Sequence, residues 1–432
     1  MSQTVSIWSD PTKRRWVFWG ILAITFLLVN IYRLSTAVIA EDLMEAFRTT
    51  GAQLGTIHAT FFIVYAVMQI PTGVLVDRLG PRIIATAGAI VMNLGIVWFA
   101  LAESYLGALG GRFLIGLGGS VIFVAILRFA ASWFPAHKFG TMNGLSFALA
   151  GIGGILATTP FAIMVSATGW REGLLLLAGI GLVVATVTFV VVRDSPIRAG
   201  LEPIPNTPEP VRVSLPEARE YLGIILRDRS TWLVSVLLFC TGGINLTLFG
   251  LWGIPYVVQV YDTSVTYASM FTLLGGLGML VGPPAFGRLS DAVGRRTELI
   301  LIGGFVYTLV LGIIAINGNP PQPVVATAFF ITGALNGVFV LTYPLIKERY
   351  DGRAAGISLG TINGATFFGA AAFPALMGIA LDSYWTGELV GGVRVYTVTG
   401  YQIAFVIATM AGVVAIVCAI WLQLDENGRK SR

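Results

Sequence analysis

Gly73-Val-Leu-Val-Asp77-Arg78-Leu-Gly80-Pro-Arg82 and Gly287-Arg-Leu-Ser-Asp291-Ala-Val-Gly294-Arg295-Arg296 share one pattern, G-x-x-x-D-x-x-G-[PR]-R. The copies stand about half the chain apart, and each follows one long apolar segment and precedes another. Two glycines among several charges cannot lie in hydrocarbon, where unsatisfied backbone groups and charges are costly. Each copy therefore reads as a tight turn at a membrane surface, with glycine supplying the unusual backbone angles.

Composition agrees. Mean hydropathy is +0.81, hydrophobic residues make up 56% of the chain and charged residues 11%, against about 25% charged in soluble domains. The 432 residues have room for roughly twelve spans at about 20 residues each. Apolar runs bounded by charge, Gly and Pro place them near 16–39, 54–76, 83–102, 108–134, 140–166, 172–192, 231–258, 266–286, 297–316, 323–344, 354–381 and 400–423. Lys13, Arg14 and Arg15 lead directly into the first run, which is too long for the apolar core of a leader and is expected to remain as a span. Cys240 and Cys418 both lie in apolar runs and have neither a disulfide pattern nor metal-ligand spacing.

The basic balance, with a pI near 9.3, follows from orientation rather than from nucleic-acid binding. With the N-terminus in the cytoplasm, 21 of the 27 Lys and Arg fall in cytoplasmic segments. Only Arg48, Arg171 and Arg394 fall outside, and Arg33, Arg112 and Arg128 lie within spans. Such a bias predicts a multi-pass protein of the cytoplasmic (inner) membrane with both termini cytoplasmic. Residues 193–230 form the longest polar stretch. Pro203, Pro205, Pro208 and Pro210 predict an extended linker. Ser214-Leu-Pro-Glu217 then reads as a capping box opening an amphipathic helix, with Leu215, Ala218, Leu222 and Ile225 on one face, at the membrane surface. Three parts follow: 1–192, a six-span half; 193–230, the linker; 231–432, a second six-span half.

The halves match beyond the decapeptides. Gly116-Leu-Gly-Gly119 in the fourth span pairs with Gly333-Ala-Leu-Asn336-Gly337 in the tenth, and Lys138-Phe-Gly140 pairs with Arg353-Ala-Ala-Gly356. On these repeats and the two decapeptides, the chain resembles the major facilitator superfamily over nearly its whole length. The resemblance implies an all-α membrane protein, with twelve transmembrane helices in two pseudo-symmetric six-helix halves. It places the substrate site between the halves near mid-membrane and implies alternating access by rocking. It also implies gating by the decapeptides Gly73, Asp77, Arg78, Gly80, Arg82 and Gly287, Asp291, Gly294, Arg295, Arg296. Asp77 would cap a helix N-terminus of the other half and hold the cytoplasmic side shut. A simple topological anchor is the alternative, and Ala292 in place of Arg78 weakens the gate reading for the second copy.

Charge inside the membrane carries the chemistry. No Asp or Glu falls mid-span, whereas three arginines do. A cavity lined by arginine without carboxylates suits an anion, because guanidinium stays charged and binds carboxylate or phosphate in a planar fork. Arg112 opens the fourth span in Gly111-Arg-Phe-Leu-Ile-Gly, a common element of the superfamily, where structural pairing competes with ligand contact. At about 100° per residue Arg128 falls on a different face from Arg112 and could snorkel to the surface. Arg33 stands well inside the first span beside Asn30 and Tyr32. Tyr32-Arg33, and Arg128-x4-Trp133-Phe134 running into Lys138-x-Gly140, resemble the organophosphate and organic-anion permeases of the superfamily. Those proteins hold a phosphate or carboxylate with arginines from both halves. Here the seventh span has no Arg or Lys, and one arginine with hydroxyls and amides suits a carboxylate better than a dianionic phosphate.

The chain is therefore expected to be a secondary transporter of a small organic anion, not an enzyme. No nucleophile–base pair, metal cluster or phosphate loop is present in the sequence, and the glycines of the fifth span lack the spacing of a nucleotide fingerprint. A drug or lipophilic-compound exporter is the alternative, and a sensor on the same fold a third reading. Arg33, Tyr32, Arg128, Tyr65, Asn245 and Asn363 are expected to bind substrate. Phe61, Gln69, Asn143, Asn336, Tyr343 and Phe367 are further cavity candidates, each of which packing explains better than ligand contact. The abundant small-x-x-small spacings permit close helix packing or sliding. No cofactor, metal or nucleic-acid partner is expected; the partners are the substrate and the lipid bilayer, and the chain is expected to work as a monomer.

Overall fold

The computed structural model describes residues 11–135, 138–202, 215–350 and 352–430. Helices dominate. In order they are α1 (Pro11–Leu34), α2 (Ala40–Phe47), α3 (Gly51–Leu79), α4 (Pro81–Leu101), α5 (Tyr105–Ser120), α6 (Ile122–Trp133), α7 (Phe139–Leu156), α8 (Thr159–Thr168) and α9 (Trp170–Val191). There follow α10 (Leu215–Arg227), α11 (Arg229–Thr247), α12 (Gly253–Tyr261), α13 (Val265–Val293), α14 (Arg296–Asn317), α15 (Gln322–Phe339), α16 (Thr342–Lys347), α17 (Gly352–Ser383) and α18 (Val398–Lys430). A short antiparallel hairpin, β1 (Leu389–Val390) and β2 (Val393–Arg394), joins the last two.

Among the described residues, 11 helices are long and apolar enough to cross a membrane, or 12 when one bent pair counts as a single span. That pair is the fifth expected span: Gly144–Leu156 meets α8 at 41°. The cause is Pro160, which has no N–H to return to Leu156; Thr158 closes the break by bonding Ile155 O through both its N–H and its hydroxyl. The α5–α6 and α11–α12 pairs each run on as one span, Tyr105–Trp133 and Arg229–Tyr261.

The helix ends obey local chemistry. Ser104 accepts from Gly107 N, Ser264 from Tyr267 N and Asp228 from Ser230 N, so each satisfies a donor that an N-terminus leaves free. The decapeptides, expected as tight turns, are mostly helix: Gly73–Leu79 closes α3 and Gly287–Val293 closes α13, so the turns shrink to Gly80 and to Gly294–Arg295. Gly80, at φ 85°, alone separates α3 from α4, and Pro81 starts α4 where its missing N–H costs nothing. Gly294, at φ 69°, ends α13 by donating to Ser290 O at 2.8 Å.

Packing divides the chain into two compact units. Unit 1 is Met1–Arg33, Val64–Gly154 and Thr168–Val211; unit 2 is Leu34–Ile63, Ile155–Ala167 and Arg212–Arg432. In unit 1, α4 and α5 touch backbone to backbone: a Cβ on Gly118 would lie 2.3 Å from Gly88 O. In unit 2, α13 and α15 do the same, a Cβ on Gly333 falling 2.0 Å from Gly275 O. The glycine spacings thus serve close helix crossings. The linker helix α10 is amphipathic, with Ile225 buried and Arg219 and Glu220 exposed. The expected capping residue Ser214 lies outside the described residues.

Candidate functional site

In unit 1 the last turn of α1 carries the charge. Asn30 is fully buried and donates its amide N–H to Phe26 O at 2.8 Å. That fixes its Oδ1 toward Arg33, whose Nη2 donates to it. The Arg33 Nε is buried with no hydrogen-bond partner, and among the described residues no carboxylate pairs with this guanidinium. Tyr65 of α3 is its electrostatic neighbour. A half-buried cation with an unused donor is costly unless water or an anion completes it.

Tyr32 turns the other way. Its hydroxyl donates to Asn93 Oδ1 at 2.8 Å, and Asn93 donates in turn to Ala89 O at 2.7 Å. Sequence reading did not single out Asn93, because a lone amide in an apolar run has no local signature. A Cβ on Gly181 of α9 would collide with it, so α1, α4 and α9 meet there. Arg112, 1% exposed, donates to Tyr32 O at 3.0 Å and lies over the Phe99 ring. It serves a carbonyl at the C-terminal end of α1, where a helix dipole favours a cation; its structural reading is the one the geometry realises. Arg128 is half-buried on α6.

Unit 2 presents neutral polar groups. Asn245 on α11 accepts from the Tyr307 hydroxyl at 3.1 Å and faces Asn336 at 3.5 Å. Tyr343 donates to Asn363 Oδ1 at 2.8 Å. Just past Asn245 the helix widens into a π turn at Leu248–Trp252, a feature that frequently marks functional positions. Its Gly250 makes room for His58, which a Cβ there would meet at 2.9 Å, and His58 packs on Phe62, which stacks with Phe367.

The two decapeptides differ in their surroundings. Arg82 donates its backbone N–H to Asp194 Oδ1 at 2.8 Å and its Nε to Phe189 O. Asp194, 112 residues away and unremarkable in the sequence, thus caps α4. In the second copy Asp291 is exposed, Arg296 pairs with Glu348 at 2.6 Å and Arg295 with Glu298 at 3.2 Å; such surface pairs contribute about 0–1 kcal/mol. Arg78 is exposed. The side chains of Asp77 and Asn143 lie outside the described residues. Nearby, Arg349, 5% exposed, bonds Asp425 at 2.8 Å and Asp228 at 3.5 Å. Tyr350 donates to Asp228 at 2.7 Å, and burial, reinforced by that carboxylate, pushes its pKa up to about 12. It therefore remains a neutral donor there.

Long apolar helices joined by short turns, with an arginine in the last turn of α1 whose Nε has no hydrogen-bond partner, point to a multi-pass membrane transporter. Comparison names the family. The profile of the Major Facilitator Superfamily matches residues 19–374 and 246–432, and the chain belongs to that superfamily. It is a transporter rather than an enzyme. Among its relatives, a probable sulfoacetate transporter, SauU, of Cupriavidus necator is 25% identical over 80% of this chain and 83% of its own length. The hexuronate transporter of Bacillus subtilis is 24% identical over 84% and 88%. Of solved structures, a bacterial homolog of the human lysosomal transporter Spinster, inward-facing and occupied, superposes with a TM-score of 0.76 at 16% identity, over 97% of this chain and 98% of that one. That likeness bears on the fold.

Proposed function

We propose that the protein moves a small organic acid across the cytoplasmic membrane by alternating access, and that Arg33 binds the acid's carboxylate or sulfonate head. The observation that carries this is Arg33 itself: half-buried next to Asn30, unpaired with any described carboxylate, and with Nε unused. An anion supplies what this guanidinium lacks. The transported acids named for the relatives, sulfoacetate and hexuronate, carry such heads, which supports the reading over an exporter of lipophilic compounds. Asn245 and Asn363 are proposed to contact the uncharged part of the substrate, with Tyr65 and Arg128 beside the head. Tyr32 is proposed as a positioning residue acting through Asn93.

The same reading takes the sequence halves 1–192 and 231–432 as the moving bodies, 193–230 as their tether, the decapeptides as the cytoplasmic gate, and a monomer as the working unit. Both termini are cytoplasmic in it; a reporter fused after Arg394 reads the outside, and a cytoplasmic signal there would refute the orientation.

Thermal stabilisation by ligands tests the site. Hexuronate and sulfoacetate should raise the melting temperature of wild type and fail to do so for Arg33→Ala. A hydrogen-bonded charge pair contributes about 1.5–3 kcal/mol, so affinity should fall about 10- to 100-fold. Arg33→Lys should recover part of it, because an ammonium lacks the planar fork. Equal stabilisation of wild type and Arg33→Ala would remove Arg33 from the site.

A further inference from the structure

The end of unit 2 away from the decapeptides holds a carboxylate with an unusual set of partners. Asp382, in the last turn of α17, accepts from the backbone N–H of Gly51 at 2.9 Å and of Ala52 at 2.8 Å. These are the first residues of α3, more than 300 positions away in sequence. The same carboxylate accepts from Arg394 Nη1 at 3.1 Å and from the Tyr396 hydroxyl at 2.9 Å, both supplied by the hairpin segment that follows α17.

Around this contact the two helices touch without side chains between them. A Cβ on Gly378 would lie 2.2 Å from Gly51 O, and one on Gly55 would lie 2.5 Å from Pro374 O. The approach is therefore backbone on backbone over about one turn of each helix.

Each partner keeps bonds of its own when the two separate, and only the Gly51 and Ala52 N–H groups pass from Asp382 to water. The N-terminus of α3 has its own capping box: Gln53 N donates to Thr50 Oγ1 at 3.2 Å and Thr50 N to Gln53 Oε1 at 3.0 Å. Asp382 keeps Arg394 and Tyr396, which come from its own side of the contact. A carboxylate on a helix N-terminus is favourable through the dipole and through charge-assisted bonds. Here it can be broken without leaving a buried charge unpaired or a helix uncapped. Those are the properties of a contact that opens and closes repeatedly rather than of a fixed structural cap.

We infer that Asp382 is the latch of the external gate, holding α3 against α17 while that side is shut and releasing α3 when it opens. This rests on the orientation and alternating access proposed above, and it assigns the outer side a helix-capping aspartate of its own.

The test uses the full chain in a Cys240→Ala/Cys418→Ala background with Leu34→Cys as reporter. Leu34 is 9% exposed and packs where a Cβ on Gly250 would lie 3.2 Å from it. Labelling by a membrane-impermeant maleimide added outside whole cells reports opening of that side. Asp382→Asn removes the charge, and Gly378→Ala wedges the same contact sterically. Each should raise the labelling rate about fivefold, the equivalent of about 1 kcal/mol for one cap, while Glu388→Gln on the exposed hairpin leaves it unchanged. Unchanged labelling in folded Asp382→Asn and Gly378→Ala proteins overturns the latch. So does loss of folding in Asp382→Asn, since α3 carries its own cap and the latch reading makes Asp382 dispensable for folding. Uptake of hexuronate and sulfoacetate by the wild-type background, read in parallel, separates failure of the latch from failure of the transport reading.

Discussion

Three arginines within apolar spans look alike in the sequence, and the structure gives them different surroundings. Arg112 is consumed by the carbonyl end of α1, and Arg33 is left with an unused donor. What distinguishes them is the position of partners on other helices: Arg112 meets Tyr32 O, whereas among the described residues no carboxylate pairs with Arg33, and a linear sequence holds no such information. Asn30 was legible, being one turn before Arg33 on the same helix; Asn93 and Asp382 were not, because their partners lie far along the chain. The Tyr32–Asn93 bond gives a test at this scale. Tyr32→Phe leaves Asn93 Oδ1 short of a donor and should cost about 1 kcal/mol of stability, read as a lower melting temperature, while the shift induced by a bound organic acid persists. Loss of that shift with an unaltered melting temperature would make the Tyr32 hydroxyl a direct substrate contact.

Helix boundaries were the most legible feature. At most ends the expected spans and the observed helices agree within a few residues, though α13 and α18 run on to Val293 and Lys430, past the expected 286 and 423. The ends that agree are written in caps and prolines that act locally, such as Ser104, Ser264 and Pro81. The fifth span was legible as one apolar run, and its bend is the work of Pro160. Which glycines matter was not legible, since spacing alone does not show what faces them. Gly333→Ala places a methyl group 2.0 Å from Gly275 O, where only a backbone shift can relieve the clash. Overpacking of this kind costs about 1–3 kcal/mol. Gly360, on α17, has nothing within 4 Å of a built Cβ, and alanine there gains about 0.8–1.0 kcal/mol of helix propensity. Gly333→Ala should therefore lower the melting temperature and Gly360→Ala should hold or raise it. The reverse order would contradict the α13–α15 crossing.

For the molecule as a whole, repetition in the sequence pointed to two halves, and the family profile, matching twice along the chain, agrees with a repeated architecture. Compact packing draws the boundary elsewhere: residues 34–63 and 155–167 join the C-terminal helices in unit 2. The reason is visible at Gly51, Gly55 and Asp382, where α3 is fastened to α17. A division by sequence describes what repeats; a division by contacts describes what is held together in one conformation. The proposed function lies in exchanging such contacts around a bound anion, and the most direct measurement is flux. Purified protein in liposomes loaded with unlabelled hexuronate should take up labelled hexuronate in a saturable exchange. Sulfoacetate should compete, a neutral sugar should not, and Arg33→Ala should reduce the exchange to the level of empty liposomes. Undiminished exchange by Arg33→Ala, or wild-type protein that moves neutral lipophilic compounds and no organic acid, would contradict the account.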